Sequence, residues 1–498
     1  MKSIRHVIGK GILLGLASLT VIAGCAINPV TKRPDLVLTT TEGERQIGAE
    51  EAKKVEKEMG LTDDPQLASY VESLGQRLAT HSPRQDVPYN FYVVEMVEPN
   101  AFALPGGFVY VSRGLLPLVN SEDELAGVIG HEIGHVAARH SVQRLSAAAP
   151  FAIVGGVAGA VTGIVSDQLG DMVTGITGFT GSLFLAPYSR SQEREADTVG
   201  VDLAAASGWD PAGLSKFLEA LETQEKLHKD KTKAPSFFDS HPSTPERVRD
   251  TADYAKTVSR APAQSIAGNQ ASFLKKLDGL VLGPHPAEGV FIENLFLHPH
   301  LNFALRYPTG WETQISRQMV VAVDKGESTL ALLQVAGEGN DPMVVLNALD
   351  KKSGGKILPH VEQFRVGGLP AARLALPTQT KHGPMMIDLN LIAYQGLIYQ
   401  IAGISPKKTY EKYATIFRQM VESFRPLTET ERTNFSVIRL RLAFAQEGET
   451  LQRFTARTGS TWTEAELAAA NGISKDVVLR DRQLLKLAKR ERYLPKSR

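Results

Sequence analysis

Two histidines four residues apart, with a glutamate directly after the first, carry the clearest chemistry in this chain: His131-Glu132-Ile133-Gly134-His135. Residues at that spacing lie on one face of an α-helix, one turn above each other. Two imidazoles so placed can ligate a single tetrahedral Zn²⁺ at about 2.0–2.1 Å. Glu132 points to the side of the pair, where it can take a proton from the water that the metal activates. Zinc lowers the pKa of that water to around 7, so the pattern predicts hydrolysis at neutral pH. A catalytic zinc also needs a third protein ligand and one open position. Ser191-Gln-Glu193-Arg-Glu195-Ala-Asp197 supplies three carboxylates well downstream, and their types alone leave open which one meets the metal.

Two helices must position these groups. Ser121-Glu-Asp-Glu124 is a capping box, so a helix is expected to start there and run through Leu125, Val128, Ile129 and His135 to about Arg144. A second helix is expected to include Ser191 to Ala206. Between them, 145–166 and 172–189 carry no charged residue, and their many glycines favour buried or membrane-grazing helices over a membrane span. Upstream, apolar residues recur at helical steps from Glu44 to Thr80. Phe91–Val97 and Phe108–Val111 read as strands, with a turn over Asn100-Ala-Phe-Ala-Leu-Pro-Gly-Gly107 between them.

His131-Glu-x-x-His135 together with Glu193-x-x-Ala196-Asp197 resembles the zinc metallopeptidase family of the CAAX prenyl protease. Asn100 to Gly107, Pro187-Tyr-Ser-Arg190 and His241-Pro242 fit the same family. The resemblance covers about residues 28–255 and implies a zincin-type metalloendopeptidase with one Zn²⁺ per chain. It implies that Glu193, not Glu195, is the third ligand. Asp197, one turn on, is then free to accept from the outer nitrogen of a ligating histidine, while Arg194 and Glu195 are expected to face solvent. It further implies that His241 approaches the metal, either steadying the oxyanion or occupying the open position as a latch, and the latch is the expected role. Arg247 would either stabilise the developing oxyanion or make a structural salt bridge. An extended polypeptide substrate is expected along the strand Phe108–Val111. The remaining histidines, His140 among them, read as structural or exposed.

The 498 residues include 55 basic and 54 acidic side chains, a formal net charge of +1, which provides no field for nucleic acid. The one cysteine, Cys25, excludes an intramolecular disulfide. Lys2, Arg5 and Lys10 followed by the apolar run Gly11 to Ala23 read as an export signal, too short for a convincing permanent span. Ile22-Ala23-Gly24-Cys25 resembles the lipobox of bacterial lipoproteins, which implies acylation of Cys25 as the mature N-terminus. Ala26 in place of an Asp implies sorting to the outer membrane, facing the periplasm. Acyl chains hold a protein there because each buried methylene contributes about 0.8 kcal/mol.

The chain therefore reads as α+β. A lipoprotein signal peptide (1–24) and a tether (25–42) precede a mostly helical zincin-type metalloprotease domain (43–255). A linker (256–272), a small α+β domain (273–428) and a C-terminal module (436–494) follow. In the last, Glu447-Gly-Glu-Thr-Leu451, Phe454-Thr-Ala-Arg-Thr-Gly459 and Asn471-Gly-Ile473 resemble a LysM peptidoglycan-binding module, although Asp481-Arg482 replaces a common glycine. The function expected is that of a lipid-anchored zinc endopeptidase hydrolysing misfolded or stalled envelope and outer-membrane proteins. Its partners would be unfolded polypeptide, the outer-membrane protein assembly machinery, the membrane and peptidoglycan. The alternative is a chaperone-like scaffold with latent proteolysis; Glu132 favours the enzyme, since a scaffold needs no general base.

Overall fold

The computed structural model describes residues 25–147, 186–227, 237–242, 245–324, 326, 328–355, 358–380 and 383–495. The expected signal peptide and most of the two uncharged segments lie outside the described residues. Among the described residues no helix is long and apolar enough to cross a membrane. The chain divides into two units. The first takes the described residues up to Leu282 together with Arg439–Lys489, and the second takes Gly283–Ile438 and the residues from Arg490.

The first unit begins with a hairpin where a tether was expected. β1 (Cys25–Ile27) pairs antiparallel with β2 (Pro34–Leu36), and Asn28 closes the connection by accepting from the amides of Val30 (2.8 Å) and Thr31 (3.2 Å). Helix α1 (Thr41–Glu58) follows. Helix α2 (Pro65–Ala79) turns Leu67, Tyr70, Val71, Leu74 and Leu78 into the core, the same residues whose spacing predicts the helix. Each such burial contributes about 1.5–3 kcal/mol.

Strands β3 (Asn90–Val94), β4 (Ala101–Leu104) and β5 (Phe108–Ser112) form a sheet in the order β3-β5-β4. β5 runs parallel to β3 and antiparallel to β4. The segment Asn100–Gly107 is thus mostly strand, and its turn is confined to Pro105–Gly107. Gly107 has φ +96°, and a Cβ there would lie 2.0 Å from the carbonyl oxygen of Pro88, so only glycine fits.

Helix α3 (Glu122–Ala137) is capped by the Ser121 hydroxyl, which accepts from the Glu124 amide at 3.2 Å. The Glu124 carboxylate reaches past the cap to the amide of Asn120 (2.7 Å). The helix does not run unbroken to Arg144. Arg139 takes φ +61°, and helix resumes at His140. At the break the Arg139 guanidinium lies on buried Glu44 (Nη2 at 3.0 Å), which Arg84 also holds with two hydrogen bonds of 2.8 and 2.9 Å.

Helix α4 (Arg190–Ala206) starts at a capping box of Ser189 and Gln192 and packs on α3. Their contact requires small residues. A Cβ on Gly200 would sit 2.7 Å from the His131 nitrogen, and one on Gly134 would sit 2.9 Å from the Ala196 Cα. The glycine inside the His-Glu-x-x-His motif is therefore what lets the second helix approach.

Helices α5 (Gly213–Leu227), α6 (Phe237–Ser240), α7 (Pro245–Ala255) and α8 (Gln270–Leu277) complete this part, followed by the short strand β6 (Val281–Leu282). Phe273, Leu274 and Leu277 of α8 are buried in the same core as α2 and α3. This places the boundary of the first unit after Leu282 rather than at residue 273, because the apolar face of α8 belongs to the core of the first unit.

The second unit is sheet-rich, and its main stretch, Gly283–Ile438, lies about ten residues beyond the small α+β domain expected at 273–428. β7 (Val290–Ile292), β8 (Leu295–His298) and β9 (Phe303–Arg306) join β17 (Arg425–Pro426) in one sheet. β10 (Glu312–Ile315), β11 (Met319–Asp324), β12 (Thr329–Glu338), β13 (Glu362–Val366), β14 (Leu369–Thr380), β15 (Gly383–Tyr394) and β16 (Leu397–Pro406) form a seven-stranded antiparallel sheet, in the order β10-β11-β12-β16-β15-β14-β13. Gln395 and Gly396, with φ of +50° and +77°, make the two-residue turn between β15 and β16 that the twist of a hairpin favours. Helix α9 (Met343–Lys352) lies between β12 and β13, and helix α10 (Tyr410–Glu422) buries Tyr413, Phe417, Met420 and Val421.

At the C-terminus, β18 (Ser436–Phe444), α11 (Leu451–Thr458), α12 (Glu464–Ala470) and β19 (Leu484–Arg492) follow in order, with β18 lying between β19 and β6. Residues 439–489 are part of the first unit. Lys486 shows how closely: it is fully buried, and its amine donates to the carbonyls of Pro117 (2.7 Å) and Val119 (2.8 Å), just ahead of α3. Burial pushes this amine down to about 7, the nearby Glu124 charge offsetting only part of the effect. A neutral amine has two N–H bonds, and the two carbonyls take both. Between pH 7 and 10 the unfolded chain holds a proton that the folded chain has shed, so stability rises with pH across that window. The slope is at most on the order of 1 kcal/mol per pH unit. Denaturant unfolding at successive pH values checks this, and Lys486→Met is expected to flatten the profile.

Candidate metal centre

His131 and His135 face the same side of α3, and both are fully buried. Their Nε2 atoms lie 3.0 Å apart. The crossing of α4 over α3 brings in Glu193, whose Oε1 is 3.5 Å from His135 Nε2 and whose Oε2 is 3.7 Å from His131 Nε2. A fourth group arrives from the end of α6: His241 Nδ1 is 3.1 Å from His131 Nε2 and 3.2 Å from Glu193 Oε1. One ligand atom from each of these four buried residues lies within 4.8 Å of the others. A tetrahedron with arms of about 2.0–2.1 Å has edges of about 3.3–3.4 Å, so the observed separations scatter around the edge length a zinc-sized ion requires.

Charge and unmet hydrogen-bonding capacity agree with that fit. Three buried carboxylates, Glu132, Glu193 and Asp197, surround the site, and the buried guanidinium of Arg247 pairs with the last two, an imbalance that a divalent cation redresses. Both oxygens of Glu132 are buried without a hydrogen-bond partner among the described residues. Burial pushes the Glu132 carboxyl above its ordinary range, and the charges of His241 and His131 offset only part of the rise. Burial acts the same way on Glu193, but His241 and Arg247 outweigh it and hold that carboxyl well below its ordinary value. Burial depresses His135 well below the usual imidazole value, which keeps its nitrogens neutral as a ligand requires.

The surroundings are specific. Asp197 Oδ1 lies 2.9 Å from His131 Nδ1. Arg247 forms a two-pronged pair with Asp197 (2.7 and 2.8 Å) and places Nη1 2.7 Å from Glu193 Oε2. Of the two roles expected for Arg247, the salt bridge is present: both edges of the guanidinium lie on carboxylates. His241 stacks on Phe237 (4.3 Å, 17°), and its Nε2 sits 3.3 Å from the Ala101 carbonyl and 3.5 Å from Glu132 Oε1.

Several contributors were not expected at the site from the sequence. Tyr188 stacks on His135 at 3.9 Å, and its hydroxyl shares a 2.9 Å hydrogen bond with Ser141. His140 is buried against His135, and Glu195, expected in solvent, lies at part-buried contact with His140 and Asn28. The sheet order bears on the strand expected to receive substrate. β5 is the central strand of its sheet with both edges paired, whereas β4 is an outer strand. On β4 the Ala101 and Ala103 carbonyls turn away from β5 and accept from His241 and from the Ser141 hydroxyl (3.2 Å) respectively.

A buried ligand cluster on two crossed helices, with an unpartnered carboxylate beside it, defines a metallopeptidase. The profile of Peptidase family M48 matches residues 65–255. Metalloprotease YcaL of Escherichia coli (strain K12) is 34% identical over 197 residues, which span 38% of this chain and 72% of that protein. The chain belongs to peptidase family M48, whose members are metal-dependent. It is also similar to the Beta-barrel assembly-enhancing protease of Escherichia coli (strain K12), with 30% identity over 230 residues covering 45% of this chain and 46% of that one. The Mitochondrial metalloendopeptidase OMA1 of Schizosaccharomyces pombe is 30% identical over 224 residues, covering 44% and 64%. The chain thus spans about half the length of the assembly-enhancing protease it matches.

Proposed function

We propose that this protein is a zinc-dependent endopeptidase of the bacterial envelope, with His131, His135 and Glu193 as metal ligands and Glu132 as general base. The observation that carries the reading is the buried Glu132 carboxylate, partnerless beside four converging ligand groups. A bound zinc supplies Lewis acidity and lowers the pKa of a water to around 7. Glu132 takes the proton from the attacking water on one of its free oxygens and returns it to the leaving amine. Asp197 holds the proton of His131 on Nδ1, which leaves Nε2 as the donor atom. Arg247 orients Glu193 and Asp197 together.

An extended substrate adds to the outer edge of β4, where the Ala101 and Ala103 backbone groups face away from β5. His241 occupies this edge through Nε2 and the fourth ligand position through Nδ1, so a single ring closes both the strand and the metal. His241→Ala is expected to raise basal hydrolysis of casein by about tenfold at unchanged metal content, a gain of one 1.4 kcal/mol step in the accessible population. Unchanged or lower activity would refute the latch. For the reading as a whole, wild-type protein is assayed on casein before and after chelation and again after zinc is restored. Activity that is indifferent to metal overturns it.

Location and substrate rest on other features. The Ile22-Ala23-Gly24-Cys25 motif supports lipid anchoring, and the name of the similar assembly-enhancing proteases supports misfolded or stalled outer-membrane proteins as substrates and their assembly machinery as a partner. The strand-helix-helix-strand order of residues 436–492 and the Asn471 side chain, bonded to both Leu467 and Lys486, support the LysM-like reading and a peptidoglycan contact. Membrane fractionation of Cys25→Ser and co-sedimentation with purified sacculi check these two points. The site's closed state supports latent proteolysis more than a scaffold without chemistry.

A further inference from the structure

The two ligand histidines have different outer partners, and one of them is not a carboxylate. His131 Nδ1 meets Asp197. His135 Nδ1 instead meets the ring of His140 at 2.9 Å, Nδ1 to Nδ1. His140 is 1% exposed, and its Nε2 faces Glu195 Oε2 at 3.6 Å. Glu195 in turn accepts from the Asn28 side-chain amide at 3.0 Å, and the same amide donates to Asp35 (2.9 Å). A buried polar arm therefore runs from His135 through His140 and Glu195 to the hairpin β1–β2.

The tautomers along this arm follow from the ligand arrangement. His135 presents Nε2 to the other ligand atoms, so a neutral ring carries its proton on Nδ1. That N–H must find an acceptor in a dry site, and the atom opposite is His140 Nδ1. His140 accepts there only with its own proton on Nε2, the nitrogen nearest the Glu195 carboxylate. We propose that His140, backed by Glu195 and the Asn28 hairpin, is a positioning residue that fixes the tautomer and ring orientation of His135 for metal binding. This rests on the reading of His131, His135 and Glu193 as metal ligands.

The backbone is built for this contact. In an unbroken helix residue 140 would lie about 140° around the axis from residue 135, out of reach of its outer nitrogen. The left-handed φ of +61° at Arg139 ends α3 and swings His140 back. Such a conformation in a non-glycine residue is costly and persists only where its surroundings impose it, here the Glu44 contact of Arg139.

The test is zinc retention against a graded chelator, measured on full-length protein without reference to proteolysis. His140→Leu is expected to weaken retention by about 10–100-fold, and His140→Gln, whose amide oxygen can accept from His135, to recover most of it. Glu195→Gln should show a smaller loss in the same direction. Thermal unfolding of the metal-free proteins separates a local effect from misfolding; should His140→Leu fail to fold, Glu195→Gln decides on the same assay. Wild-type retention by folded His140→Leu, or by Glu195→Gln in its stead, overturns the proposal. Glu193→Gln is run alongside: if it too keeps its zinc, the ligand reading itself has failed.

Discussion

Glu132→Gln is expected to keep its metal and lose about a thousandfold in the turnover of casein. The amide has the same shape, so packing on α3 is preserved. Neither of its terminal atoms accepts a proton at neutral pH, and positioned general bases contribute roughly 10²–10⁴-fold. The environment makes the native carboxylate effective. Its oxygens are buried without hydrogen-bond partners, and burial raises its proton affinity. Turnover and zinc content are measured together on wild type and variant. If the variant retains activity within tenfold of wild type, the base lies elsewhere; if it loses zinc, Glu132 acts through the metal shell instead.

Glu193→Gln should reduce zinc from one per chain to less than about a tenth of that after dialysis against a mild chelator. Glu193 is the only anion among the four convergent ligand groups. Its ionised form is secured by His241 and Arg247 against the burial that opposes it. The amide gives up that charge and leaves the Arg247 nitrogen that stood 2.7 Å from Oε2 opposite a neutral group. Arg247 keeps its pair with Asp197, so the main loss is the ligand charge that faces the metal position. Because a ligand that binds only the folded state stabilises it by mass action, the rise in melting temperature on adding zinc should also disappear. Full zinc occupancy in the variant would return the third-ligand role to Glu195 or Asp197.

The elements nearest the chemistry were legible because their signals are local. The four-residue spacing of His131 and His135 needs only the helical period, and the Ser121 capping box marks the N-cap of α3. The sheet-rich unit was read less well. β13 and β14 were missed: β14 buries few of its residues and shows no clean alternation, and periodicity is a weak guide to strands of that kind.

What the sequence determined by itself is the reaction class: a His-Glu-x-x-His helix and a downstream acidic helix commit the chain to metal chemistry through residue types and short-range spacing. What only the tertiary structure decided is which distant groups complete the site. β4 rather than β5 is the outer strand, because that depends on pairing order. Arg247 is committed to Asp197 and Glu193, because three elements converge there. His140 reaches His135 because the chain turns at Arg139, whose guanidinium shares the buried Glu44 with the distant Arg84. Glu195 faces inward because Asn28, 167 positions away, is folded against it. Each of these turns on contacts between residues far apart in the chain, and no local period or propensity encodes such a contact.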